Sequence, residues 1–112
     1  MQSKPPKDDD NYHWTTHVKG KMVQYSLSAS LIKRIINNPK RKEEGIAPGT
    51  VAVMQPKFNK KAEIWVMYAT KNKLGGKKAI ISSWRYPGIS PVGKAISIPD
   101  DVMLELEKWF SK

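Results

Sequence analysis

The spacing of apolar residues changes twice along this chain. Between residues 16 and 38 it is helical. Val18, Met22 and Tyr25 fall at i, i+4 and i+7, which predicts a helix over roughly 16–25 that Thr15 or Thr16 can cap. Gly20 weakens that helix by about 1 kcal/mol relative to Ala. Ser28 is a good cap for a second helix over roughly 29–38. Its buried face is Leu31, Ile32, Ile35 and Ile36, and Pro39 stops it. After a charged segment, PKRKEEGIAPG, three dense runs of β-branched and aromatic residues follow: 50–55, 62–69 and 78–86. Short connections join them, one at 56–60 and one at 71–77 with Gly75-Gly76, which favours an antiparallel meander. Alternation puts Ile64, Val66 and Tyr68 on one face and Glu63, Trp65 and Met67 on the other. In the third run it groups Ile80, Ser82, Trp84 and Tyr86 against Ile81, Ser83 and Arg85. The Pro/Gly-rich stretch 87–97 is expected to cross the sheet. Pro99 opens a third helix over roughly 99–110, with Asp100 and Asp101 in its first turn and Val102, Leu106 and Trp109–Phe110 to pack. The expected fold is α+β: two N-terminal helices, a three-stranded antiparallel sheet and a C-terminal helix. Residues 1–12 are polar and aperiodic and read as a disordered tail, leaving 13–112 as one domain.

Composition narrows the function classes. The chain has 112 residues, no cysteine and two histidines. Disulfides, thiolate chemistry and Cys-based metal centres are excluded. Two histidines and ten acidic residues argue against a dedicated metal enzyme, and the expectation is no metal and no cofactor. No apolar run nears the roughly 20 residues of a membrane span, and the first ten residues lack the apolar core of a signal peptide. A cytoplasmic protein with no membrane partner is the expectation. The net charge is +10. Its distribution sharpens this: residues 15–98 carry sixteen Lys and Arg but only Glu43, Glu44 and Glu63 as acids. Such a surface attracts phosphate backbones or an acidic protein.

One stretch has a recognisable pattern. His17-Val-Lys-Gly-Lys21-Met22 is followed by Tyr25-Ser-Leu27-Ser28, then by a hydrophobic helix from Ile32 that ends in Asn37-Asn38-Pro39. Histidine, three residues, a basic-Met pair and a helix closing in Asn-Pro resembles the small branch of the RelE/ParE and BrnT-like toxin superfamily. The likeness spans residues 13–39 by motif and 50–86 by element order. The EEGIAPGT segment and the acidic last helix lie outside the pattern. The resemblance implies a small endoribonuclease that cuts RNA without metal, with an acidic antitoxin as partner. Gyrase-poisoning, ParE-type members imply a different alternative, a toxin that acts by binding a protein. A non-catalytic nucleic-acid-binding module is the third reading.

Metal-free RNA cleavage needs a base for the 2′-hydroxyl, cations for the phosphate and an acid for the leaving 5′-oxygen. His17 is the leading acid/base candidate, since an imidazole titrates near neutrality. His13 is less favoured because it sits at the tail junction. Arg85, between Trp84 and Tyr86, is the candidate phosphate clamp, and it must share a cleft with His17. Glu63, the one acid in the strand runs, and Tyr68 complete the catalytic candidates. For nucleic-acid binding the candidates are Lys19, Lys21, Lys33, Arg34, Lys40, Arg41 and Lys42, with Trp65, Trp84 and Tyr86 as stacking surfaces. Gly75-Gly76 lacks the rest of a phosphate-loop pattern and reads as a turn.

Overall fold

The computed structural model describes residues 5–44, 46–57, 59–70 and 76–110. The element order is β1 (Tyr12–Trp14), α1 (Thr16–Tyr25), α2 (Ala29–Asn37), β2 (Arg41–Glu44), β3 (Thr50–Lys57), β4 (Ala62–Thr70), β5 (Lys78–Pro87) and α3 (Asp100–Phe110). The strands form one five-stranded sheet in the order β1-β5-β4-β3-β2. β1 runs parallel to β5, and the other pairs are antiparallel. The architecture is therefore α+β with a five-stranded mixed sheet, and the expected three-stranded antiparallel sheet is overturned.

Both additional strands lie on the edges. β1 begins at the last residue of the segment read as a tail. Tyr12 pairs with Lys78, His13 with Ala79 and Trp14 with Ile80. β2 is the sequence RKEE, read as loop, paired with β3 through Arg41↔Met54 to Glu44↔Val51. A short, fully charged edge strand has little apolar signature, and its charges discourage further strand pairing.

Local chemistry explains the helices. The Thr15 hydroxyl accepts from Val18 N at 3.2 Å and caps α1. The helix ends at Ser26, in the left-handed region at φ 58°. Ser28 caps α2 through Leu31 N at 3.1 Å.

The sheet is covered on both faces. On one, α1 and α2 bury Val18, Met22, Ile32, Ile35 and Ile36 against Val53, Ile64, Val66, Tyr68 and Ile80. On the other, Val102 and Leu106 of α3 pack on Met54, Trp65, Met67, Ile81 and Trp84, with Ile96 and Ile98 of the preceding strap alongside. Central β4 is accordingly buried from Ala62 to Ala69, the near-continuous apolar run of a strand covered on both sides. In β5 the expected alternation fails at one point. Met67 pairs with Ser82 but Tyr68 with Ile80, so Ile81 is inserted as a bulge. Ile80 therefore joins the α1/α2 core, and Ile81 joins Trp84 beneath α3.

The strap is tied down by polar groups. Glu63, buried in β4, accepts from Trp65 Nε1 (3.1 Å), Ser90 N (3.2 Å) and Ser90 Oγ (2.6 Å). Arg41 donates from Nη1 to Ser90 Oγ (2.8 Å) and from Nη2 to the Lys94 carbonyl (3.0 Å). No helix among the described residues is long and apolar enough to cross a membrane.

Candidate functional site

The turn from β1 into α1 and the C-terminal half of α3 enclose an open cleft of about 790 Å³. Its walls include Lys7, Asp8, His13, His17, Lys19, Glu105 and Trp109. Both histidines of the chain therefore face one space, with two lysines and two tryptophans, Trp14 and Trp109.

His13 is oriented from behind. Its Nδ1 lies 2.6 Å from Asp8 Oδ2, and Asp8 Oδ1 accepts from Trp14 N at 2.8 Å. Those two hydrogen bonds, the backbone one foremost, hold the Asp8 carboxyl below its ordinary 3.8. A carboxylate can only accept, so Nδ1 carries the proton in this contact and Nε2 is left for a ligand. The imidazole stacks on Trp109, with centroids 6.5 Å apart and planes at 29°. Asp9 supports the same turn by accepting from Asn11 N and Tyr12 N.

His17 is held differently. Nε2 shares a 2.9 Å hydrogen bond with Ser82 Oγ, and Nδ1 lies 3.8 Å from Glu105 Oε1. Burial pushes its pKa below 6.5, against the opposing pull of Glu105 and Asp101. The ring is thus biased to neutral imidazole. Ser82, His17 and Glu105 have the connectivity of a hydrolytic triad. Ser82, however, is fully buried, and 3.8 Å is too long for a hydrogen bond. The serine anchors the ring and does not face a substrate.

The other candidates scatter. Lys21, one turn after His17, is only 5% exposed. Its Nζ is 2.6 Å from Asp101 and sits over the Tyr25 ring, so it fastens α1 to α3. The Lys21 contact, foremost its hydrogen bond, lowers the Asp101 pKa. Arg85 does not line the cleft. It pairs with Ile64, on the α1/α2 side, whereas Ser82 pairs with Met67, on the α3 side. The required meeting of Arg85 and His17 is thus removed by strand alternation. Glu63 is the buried anchor of the strap. Tyr68 is buried in the α1/α2 core, and burial raises its phenol above 10.0. Trp65 and Trp84 are each 1% exposed and stack on one another at 6.1 Å under α3, so neither face is open to a base. Tyr86 is partly buried at the margin of that core.

Among the basic candidates, Lys19 reaches the cleft. Lys33 lies over the Tyr12 ring, 4.0 Å from Asp9. Arg34 and Lys40 are exposed. Arg41 is engaged by Glu43, Ser90 and Lys94 and stacks over Trp65. Lys42 pairs with Glu44 at 3.4 Å. Lys71, Lys73 and Gly75 of the expected turn lie outside the described residues. Sequence reasoning missed Asp8, Lys7, Glu105 and Trp109, and it undervalued His13. The available signal was the pair of histidines four residues apart, across a helix start, with an acid five residues upstream.

Comparison with protein-family models, with curated proteins and with solved structures finds no match.

Proposed function

We propose that the protein binds RNA and cleaves it at this cleft by attack of the 2′-hydroxyl on the adjacent phosphorus. The observation that carries the proposal is the placement of two differently held imidazoles beside Lys7 and Lys19 on one wall. His17, biased to its neutral form, takes the proton of the 2′-hydroxyl. The new P–O bond forms as the bond to the 5′-oxygen breaks. His13, in its protonated form and with Nδ1 held by Asp8, gives its Nε2 proton to that oxygen, leaving a 2′,3′-cyclic phosphate. Lys7 and Lys19 offset the charge that builds on the phosphoryl oxygens. This keeps the metal-free chemistry implied by the RelE/BrnT-like resemblance and moves it from a sheet face to the β1–α3 cleft. An acidic antitoxin would be a natural partner for a chain of net charge +10.

The test is incubation of the purified protein with RNA in EDTA, followed by analysis of the chain ends. Cyclic phosphate ends are expected. His13→Ala and His17→Ala should each lower the rate by roughly a hundred- to ten-thousandfold with the fold intact. Absence of cleavage refutes the catalytic reading. A second reading, non-catalytic nucleic-acid binding, is favoured by the contact of His17 Nε2 with buried Ser82, which points one of its nitrogens away from the cleft. Salt-sensitive binding without cleavage would select it.

A further inference from the structure

We infer that the cleft takes single-stranded nucleic acid, with one unpaired base seated on the indole of Trp109. The inference rests on the reading of the cleft as an RNA site and specifies the state of the RNA it accepts.

The four tryptophans of the chain differ in what their rings can reach. Trp65 and Trp84 cover each other beneath α3. Trp14 also lines the cleft, but it is 2% exposed and its ring belongs to the α1/α2 core. Trp109, near the end of α3, is partly exposed and lines the cleft. Its ring stacks on His13, so a base on the indole lies one ring away from a proposed acid/base group. Lys7 and Lys19 line the same cleft and suit the phosphates flanking that base. The volume, about 790 Å³, lies within the roughly 300–1,000 Å³ usual for ligand sites.

An indole can cover a base only if that base has left its own stack. In a duplex, both faces of each base are covered by neighbours, and side chains reach mainly edges and backbone. The proposed chemistry makes the same demand. In-line attack of a 2′-hydroxyl on its own phosphate needs a sugar–phosphate geometry that regular stacking does not supply. Base recognition and cleavage thus both select an unstacked nucleotide.

The test uses the full chain and an oligonucleotide that cannot be cleaved, so that binding is read apart from catalysis. The probe is a fluorescent 2′-O-methyl RNA strand, presented alone, annealed to its complement, or carrying a single abasic position moved along its length. The free strand should bind at least about tenfold more tightly than the duplex. An abasic position should weaken binding by roughly five- to 150-fold at one site, matching the ~1–3 kcal/mol of a stacked base. Trp109→Ala should produce a similar loss on the single strand and little on the duplex, while Trp109→Phe retains most of the affinity. If circular dichroism shows Trp109→Ala misfolded, the phenylalanine variant and the abasic series with unaltered protein decide. Equal binding of duplex and single strand would overturn the inference, as would abasic strands that bind uniformly. Cleavage of ordinary RNA in EDTA stands or falls separately from either result.

Discussion

Removing the Glu63 carboxylate should loosen one segment and destabilise the whole domain. Three donors converge on it: Trp65 Nε1, Ser90 N and Ser90 Oγ. In Glu63→Ala the serine hydroxyl can rotate, but the indole N–H and the backbone N–H remain buried without an acceptor. Each such group costs about 1–3 kcal/mol, so the pair costs about 4 kcal/mol. Against a total of about 5–15 kcal/mol, that is a large fraction. At roughly 4 °C per kcal/mol for a domain near this size, Tm should fall by about 15 °C. Glu63→Gln should cost less, about 1–3 kcal/mol. Its remaining oxygen can still serve Trp65 and Ser90 Oγ, but its NH₂ would then oppose Ser90 N. Urea denaturation measures both costs, and hydrogen exchange locates them. The amides of the strap at 88–98 should lose protection more than those of α2. A cost under about 1 kcal/mol for Glu63→Ala, with the strap still protected, would refute the anchoring role.

The His17 pKa is depressed on folding, so the unfolded chain binds that proton more readily. Stability from this group is full above about 6.5 and is lost as pH falls from there through the folded value. The stability difference between wild type and His17→Gln should therefore shrink on acidification, and a growing difference would reverse the sign argument. Gly20→Ala should stabilise by about 0.5–1 kcal/mol, because the position is helical and exposed and an added Cβ meets no atom within 4 Å. Any loss of stability would contradict that geometry. Trp65→Phe should cost about 1 kcal/mol more than Trp84→Phe. Both leave similar voids, but only Trp65 Nε1 has a hydrogen-bond partner, while Trp84 Nε1 has none among the described residues. Equal costs in urea melts would count against the Glu63 network.

The elements legible in the sequence are those whose signals are local. Thr15, Ser28 and Pro39 mark helix ends by chemistry that acts within a few residues. The apolar run from Ala62 to Ala69, interrupted only by Glu63, identifies a central strand. β1 carries no such signal, since three residues become a strand only by pairing with 78–80. β2 is hidden because an edge strand can be wholly charged. The bulge at Ile81 changes which side chains share a face, and no periodicity within β5 announces it. The site follows the same division. The chemistry of His17 is visible in its residue type, but Ser82 and Glu105, which hold it, arrive from β5 and α3. Arg85 looked suitable between two aromatics, yet its register with Ile64 turns it from the cleft.

The two walls of the cleft come from opposite regions of the chain, residues 6–19 and residues 105–109. Their closure depends on β1 finding β5 and on Lys21 meeting Asp101, contacts of large sequence separation that pay their loop entropy late in folding. The cleft therefore has no partial form, and it is absent from a growing chain until α3 has been made. Fraying of either region dismantles it at once. A ligand bridging the two walls acts as a clasp on the whole domain, and at a hundredfold excess over its Kd it would add about 2.7 kcal/mol to global stability.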